Sequence, residues 1–370
     1  MLLVVMLVGM ATALFVYGMV DTTSAALRRD KNVAAVLAQA KQALIGRAAS
    51  DANRPGSLPC PDTDNDGSAE IFVGPSLDAC PSYIGRLPWR TLGLPDLRDS
   101  DGERLWYALS SNFRDHPNAE PINSDMKGMF TITGTSPATE IIAVVFAPGQ
   151  VVGTQDRIAA NQNTVAHYLE GGNETGVGTS TFVTGATTTT FNDRLLALTG
   201  ADIMIPVEQR VAREMLALLN LYRNAGANTC GCYTWGDNDF NNEGDNDVFR
   251  GWLPLNQGDP HSWLTDLGIV VPVWLNQNQW WKVVYYAVAP NETQNKSGGT
   301  LTVDGALGTH VVLITPGPTS PGVPRPVNAP GSAAYWAEYL NDAGNSDHND
   351  HLYVRPTSTA YARNRLYTIP

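Results

Sequence analysis

The first twenty residues of the chain, Met1–Val20, carry no charged side chain and almost no polar one. At 1.5 Å of rise per residue, a helix of this length crosses a hydrocarbon core about 30 Å thick. No proline interrupts the sequence as far as Ala49, and alanine, the strongest helix former, is frequent from Ser24 onward. We therefore expect one long helix that is apolar in its first half and amphipathic in its second half.

A secretory signal peptide is the first alternative for this apolar run. Such a signal has a basic start, an apolar core of about 7–15 residues and a small-residue cleavage site. Here the first basic residue is Arg28, and the candidate cleavage triplet Ala11-Thr12-Ala13 lies inside the apolar run. The basic residues after the run favour a cytoplasmic C-terminus by the positive-inside rule. That conflict disappears if a short basic leader has already been removed, which makes Met1 a processed N-terminus.

The second half of the expected helix carries an apolar stripe at steps of three and four residues. The stripe consists of Val33, Leu37, Ala40, Leu44 and Ala48. It predicts that this half packs on the chain's own globular part. Pro55-Gly56 follows and ends the segment.

The composition of the remainder narrows the class of protein. The formal net charge is -12 and charged residues are only 16% of the chain, which argues against nucleic acid as a partner. Abundant Asn, Thr, Gly and Pro after Ala49 predict many turns and short strands. Four cysteines beyond an apolar span fit an oxidising compartment.

Three sequence runs follow the helix: Gly56–Gly67, Ile84–Trp89 and Leu105–Ala108. With the helix, they resemble type IV pilins and type II secretion pseudopilins, in particular large pilin-like proteins of Gram-negative bacteria. The resemblance implies a precursor held in the inner membrane, a prepilin peptidase that removes the leader, and a machinery that assembles copies of this chain, or other pilins, into an extracellular filament on the cell surface.

The resemblance also implies which residues form the filament core. These are Met1, Leu2, Val5, Leu7, Leu14 and Phe15. Most major pilins carry Glu at mature position 5, where this chain has Val5. Certain minor pilins and tip pseudopilins also lack that Glu, so a minor or tip subunit is the main alternative to the bulk subunit.

The two halves of the globular part look duplicated. Val144–Gly149 is echoed by Val312–Gly317, and Asn192–Leu196 by Arg363–Tyr367, in the same order. The amphipathic segment 207–222 is a second helix, with Pro206 in its first turn. Its apolar face consists of Val207, Val211, Met215, Leu218 and Tyr222. We therefore predict an α+β fold with a long N-terminal helix and two tandem pilin-like heads, each a helix packed on an antiparallel β-sheet. The predicted domains are residues 1–24, 25–203 and 204–370.

Two acidic loops follow the two helices. The first reproduces the start of an EF-hand loop, with oxygen ligands at positions one, three and five and Gly67 at six. Its candidate ligands are Asp62, Asp64, Asp66, Ser68 and Glu70; those of the second loop are Asp237, Asp239, Asn241 and Glu243. We expect structural calcium; the alternative is a solvated acidic turn.

The four cysteines permit three pairings. We favour Cys60 with Cys80, which closes the first acidic loop, and Cys230 with Cys232, which are near neighbours. A zinc site from all four cysteines is the alternative, although no CxxC spacing is present.

No catalytic motif stands out, so we expect no enzyme activity. The pair His348 and His351 could bind a transition metal, but it lies in an Asn/Asp-rich loop typical of solvated surface. Six of the nine tryptophans fall between Trp235 and Trp281. An exposed strip of them would suit a membrane-tethered carbohydrate-binding adhesin, although core packing is the commoner role.

Overall fold

The computed structural model describes residues 27–75, 77–116, 118–175, 181–296, 298–319, 322, 324–325, 333–340, 343–346, 351–356 and 364–370. Within them the protein is α+β. The helices are α1 (27–50), α2 (Gly200–Asn224), α3 (Val273–Gln277), α4 (Ala333–Tyr339) and α5 (Ala343–Ser346). The first seven strands are β1 (Ile84–Arg86), β2 (Trp106–Leu109), β3 (Phe130–Gly134), β4 (Ala138–Ile141), β5 (Ala143–Ala147), β6 (Thr181–Thr184) and β7 (Arg194–Leu198). The second seven are β8 (Arg250–Trp252), β9 (Tyr285–Val288), β10 (Leu301–Val303), β11 (Ala306–Thr309), β12 (Val311–Thr315), β13 (Leu352–Tyr353) and β14 (Arg365–Ile369).

Helix α1 packs by the stripe that the sequence predicts. Leu37, Ala40, Leu44 and Ala48 are buried, and Val33 is half-buried. The charged side chains Arg28 and Lys31 lie on the exposed side. An apolar stripe with a charged opposite face lets one helix bury one side on its own chain and leave the other to solvent.

No helix among the described residues is long and apolar enough to cross a membrane. The apolar run Met1–Val20 and the predicted filament-core residues within it lie outside the described part of the chain. The domain boundaries predicted after residues 24 and 203 stay predictions.

The two halves of the chain repeat one strand topology. The first half forms a four-stranded sheet in the order β1-β2-β5-β7, and the second forms one in the corresponding order β8-β9-β12-β14. Each half also forms a three-stranded sheet, β4-β3-β6 and β11-β10-β13. In both small sheets a hairpin pairs antiparallel and the third strand joins in parallel.

The register of the large sheets places the sequence echoes side by side. In the first sheet Val145 pairs with Tyr107 on one side and Leu196 on the other. In the second sheet Leu313 pairs in the same way with Tyr286 and Tyr367. Because equivalent residues occupy equivalent register positions, the short echoes in the sequence reflect a repeated structure.

The large sheet of the first half is covered on both faces. Tyr107, Val145 and the α1 stripe belong to one hydrophobic core. Trp106 and Phe146, one residue along on each strand, face a second core with Phe182 of the small sheet. Alternation of side chains along a strand therefore builds a helix layer on one face and a small sheet on the other.

Helix α2 begins earlier than the sequence pattern indicated. Thr199 and Asp202 form a reciprocal capping box, so the helix starts at Gly200 and Pro206 lies inside it rather than in its first turn. The predicted buried face is correct, with Val207, Val211, Met215, Leu218 and Tyr222 all buried. The capping box of Thr199 and Asp202 determines where the helix begins, and it outweighs the preference of proline for the first turn.

Helix α2 also joins the two halves. The Lys41 Nζ atom of α1 lies 2.8 Å from the Asp202 carboxylate, and Arg210 donates to the carbonyl of Ala49 over 3.0 Å. Among the described residues, apolar side chains from both halves belong to one continuous core. The two halves are therefore packed together and share buried surface.

Candidate functional site

The first acidic loop is anchored to β1 at its first aspartate. The Asp62 amide donates to the Arg86 carbonyl over 3.0 Å, and the Arg86 amide donates back to Asp62 over 2.6 Å. The Asp62 carboxylate then accepts the amides of Asn65 at 2.6 Å and Gly67 at 2.7 Å. The chain consequently wraps around one buried carboxylate.

The second acidic loop repeats this arrangement on β8. The Asp237 amide donates to the Trp252 carbonyl over 3.0 Å, and the return bond is 2.9 Å. The Asp237 carboxylate accepts the amides of Phe240 at 2.8 Å and Asn242 at 2.7 Å. The donors again stand three and five residues after the aspartate.

The sixth position of both loops is left-handed. Gly67 has a φ of 90° and Asn242 a φ of 67°. Asn is one of the few residues with a side chain that adopts this conformation readily. The glycine that the EF-hand pattern expects at position six is therefore replaced by Asn242 in the second loop.

Three carboxylates converge in each loop. Oxygen atoms of Asp62, Asp64 and Glu70 lie within 4.8 Å of one another. Those of Asp237, Asp239 and Asp245 do the same. Both triads occupy positions one, three and nine, a set of oxygen donors that suits a hard cation such as Ca²⁺.

The ninth residue is held in the same way in both loops. The Thr63 amide donates to Glu70 Oε1 over 2.9 Å, and the Asn238 amide donates to Asp245 Oδ2 over 2.8 Å. A hydrogen bond from position two therefore turns the ninth side chain back toward the first. Sequence reasoning named Glu70 but missed Asp245, although the nine-residue spacing of the first loop would have found it.

The other predicted ligands lie beside the triads. The Asp66 carboxylate accepts the Ser68 amide over 2.6 Å, and the Asn241 side chain accepts the Glu243 amide over 2.8 Å. None of these four side chains belongs to the converging carboxylate triads. Their described contacts stabilise the loop backbone.

Burial and neighbouring charge strain the triads electrostatically. Burial raises the pKa of Asp237 to about 6, and the Asp245 charge adds to this effect. Burial also raises the pKa of Asp62, with further contributions from Asp64 and Asp66. A bound cation would relieve both the repulsion and the loss of solvation.

The structure forms both predicted disulfides. Cys60 and Cys80 are bonded with their Cα atoms 5.5 Å apart, which closes the first acidic loop at its base. Cys230 and Cys232 are bonded with their Cα atoms 5.2 Å apart. Each half thus carries one disulfide: the first spans its acidic loop, and the second precedes its acidic loop.

The tryptophan-rich segment is mostly core. Trp235, Trp252, Trp263, Trp274 and Trp280 are buried, and Trp281 is half-buried. The exposed strip that an adhesin would use for stacking on sugars is not formed by these side chains. His348 lies outside the described residues, so the predicted histidine pair has no geometry to report.

No protein-family model, curated protein or solved structure matches this chain.

Proposed function

We propose that the protein is a structural subunit of a type IV pilus-like extracellular filament. The observation that carries the proposal is the position of α1. It buries one stripe on the head, and in the sequence six residues without proline separate it from the apolar run Met1–Val20. A helix of this kind can fasten a globular head to an apolar core shared with other subunits.

The assembly step is an exchange of apolar surroundings. The precursor is held in the inner membrane of a Gram-negative bacterium by Met1–Val20, and a prepilin peptidase removes its leader. The assembly machinery then transfers the run from lipid to the same runs of neighbouring pilins. Burial of apolar surface against protein is worth about 25 cal/mol per Å² relative to water, so the run stays out of solvent at each stage.

The repeated topology supports a head made of two pilin-like units. Within the described residues each unit presents a helix, an acidic loop and seven strands in the same order, and each unit carries one disulfide. The shared core and the hydrogen bond from Arg210 to the Ala49 carbonyl hold the two units together on one α1 helix. Such a head stays intact when the filament is pulled or sheared.

Calcium bound at the two carboxylate triads is part of this proposal. The loops 62–75 and 237–249 contain little regular structure. A cation bound by positions one, three and nine would order these loops without requiring them to bury apolar side chains. The cation has a structural role, and the proposal assigns no catalytic activity to the subunit.

Electron microscopy of sheared cell-surface filaments, with mass spectrometry of their peptides, tests the filament proposal. Leu14→Arg places a charge in the apolar run and should abolish incorporation into filaments. Leu27→Arg, at a residue whose side chain is 56% exposed on α1, is the matched control and should leave incorporation intact. Recovery of the unaltered protein solely as a membrane-bound monomer would rule the proposal out.

A minor or tip subunit is favoured by one observation, the presence of Val5 where most major pilins carry Glu. Quantitative mass spectrometry of the same filaments separates the two roles. A major subunit accounts for most of the filament protein, whereas a tip subunit occurs at about one copy per filament.

A further inference from the structure

A second group of metal-ligating side chains lies away from the acidic triads, at the C-terminal end of α2. The sulfur atoms of Cys230 and Cys232 and an imidazole nitrogen of His261 lie within 4.8 Å of one another. Cys232 is buried, and the other two side chains are half-buried. We propose that Cys230, Cys232 and His261 form a redox-gated site that binds Zn²⁺ when the Cys230–Cys232 disulfide is reduced.

One tyrosine positions the histidine. The Tyr222 hydroxyl donates to the His261 carbonyl over 3.1 Å and accepts the His261 amide over 3.0 Å. Tyr222 is itself buried in the last turn of α2. The backbone of His261 is therefore fixed to the helix that precedes the two cysteines.

One asparagine positions the cysteine turn on the same helix end. Asn228 donates through its side chain to the Tyr222 carbonyl over 2.7 Å and to the Cys232 carbonyl over 2.8 Å. Gly231, between the cysteines, has a φ of 56°, which allows the tight turn. Both ligand segments are thus held to Tyr222 by hydrogen bonds that do not involve the sulfur atoms, so the site is preorganised in either redox state.

The ligand set matches zinc. Two thiolates and one imidazole are a known zinc donor set that leaves a fourth position open for water or another ligand.

The disulfide suits a reversible switch. Its two cysteines are separated by 2 in sequence, whereas Cys60 and Cys80 are separated by 20. A bond that closes so short a loop restricts the unfolded chain much less, so its reduction removes less stability.

Reduction of the Cys230–Cys232 disulfide requires two electrons, which a dithiol reductant supplies. The reductant's thiolate attacks one protein sulfur, its second thiol completes the exchange, and the products are two protein thiols and an oxidised reductant. Zn²⁺ then displaces one proton from each thiol, so two protons are released for each zinc bound. Exchange of the two thiols with a disulfide oxidant, which leaves as a dithiol, reforms the Cys230–Cys232 bond and expels the metal.

Zinc titration of the full chain tests the proposal, with excess Ca²⁺ present to occupy the carboxylate triads. After reduction by dithiothreitol and removal of the reductant without oxygen, the protein should bind one Zn²⁺ more than the reduced C230S/C232S variant. That variant keeps Cys60 and Cys80, so it subtracts any binding by the other two thiols. The oxidised protein should not bind this extra zinc.

His261→Ala should lower the affinity for the extra zinc at least tenfold, whereas His116→Ala, at a half-buried histidine of the first half, should not. X-ray absorption of the zinc-loaded unaltered chain should show two sulfur neighbours at about 2.3 Å and at least one nitrogen at about 2.0–2.1 Å. Equal affinity in His261→Ala, zinc binding by the oxidised protein, or coordination by sulfur alone would each overturn the proposal. The spectrum does not depend on whether the variants fold.

Discussion

Asp62 and Asp237 occupy the same position in the two halves of the molecule. Each pairs through its backbone with the last residue of the first strand of its large sheet, Arg86 or Trp252. Each carboxylate is buried and accepts amide hydrogens from the third and fifth residues that follow. The duplication therefore extends from strand order to single hydrogen bonds in the acidic loops.

A glycine opposite each of these aspartates makes the close approach possible. A Cβ atom on Gly85 would lie 2.5 Å from the Asp62 carbonyl oxygen, and one on Gly251 would lie 2.1 Å from that of Asp237. We expect Gly85→Ala and Gly251→Ala each to destabilise the protein by about 1–3 kcal/mol, because the strand must move away from the loop. Urea denaturation measures the change.

The control for these variants is Gly46→Ala in α1, where a Cβ atom meets nothing within 4 Å. Alanine in a helix should stabilise the protein by about 0.5–1 kcal/mol. Unchanged stability of Gly85→Ala and Gly251→Ala would show that the loops do not contact the strands this closely.

Calcium should raise the melting temperature through the carboxylate triads. A ligand that binds only the folded state at 100 times its Kd adds about 2.7 kcal/mol of stability. Asp62→Asn and Asp237→Asn should each remove part of this shift, and Asp101→Asn, at an exposed aspartate, should not. Differential scanning calorimetry with Ca²⁺ or with EDTA provides the comparison, and identical melting curves in the two conditions would refute calcium binding.

Glu208 is a fully buried carboxylate that connects α2 to both halves. It accepts a 2.5 Å hydrogen bond from the Ser124 hydroxyl and lies 3.2 Å from the Arg365 guanidinium. Glu208→Leu should lower the free energy of unfolding by about 3–5 kcal/mol, because Arg365 loses its partner in a mostly buried site. Chemical denaturation measures this loss.

Glu208→Gln is the matched control, because it keeps the shape and the capacity to accept the Ser124 hydrogen. It should cost less than Glu208→Leu. A double-mutant cycle with Arg365→Met isolates the ion pair, and a coupling energy of zero would mean that the two charges do not interact.

Asp193 should make the protein less stable as the pH rises. Burial, together with the charge of Glu170, raises its pKa from 3.8 to about 8. The folded state therefore binds more protons than the unfolded state between about pH 4 and pH 8, and stability falls across that window. Asp193→Asn should stabilise the protein by about 1–2 kcal/mol at pH 8 and have little effect at pH 4.

The repeat offers support for that substitution, since the second half carries Asn364 at the echoed position. There the Asn364 side chain donates to the Pro316 carbonyl over 3.3 Å. Thermal melts of Asp193→Asn and Asp101→Asn from pH 4 to pH 9 check the prediction. A parallel pH dependence in the two variants would contradict it.

Local patterns in the sequence were enough to predict the local features of the fold. The stripes of α1 and α2 follow from helical periodicity, and the first acidic loop follows from the spacing of its aspartates. The sequence also predicted the disulfide of Cys60 with Cys80 and the echo of Val144–Gly149 in Val312–Gly317. Each of these depends on residues that are close in sequence or on repeated short runs.

Contacts between distant segments were decided by the tertiary structure. The Glu208–Arg365 ion pair joins residues 157 positions apart, and His261 meets Cys232 only because both segments are tied to Tyr222. Nothing in the spacing of such residues predicts which segments will pack together. The sequence alone determined which faces are apolar and which loops are acidic. Packing of the two halves on one core determined which polar groups meet. The physical reason is that a polar group buried by this packing needs a hydrogen-bonding or charged partner.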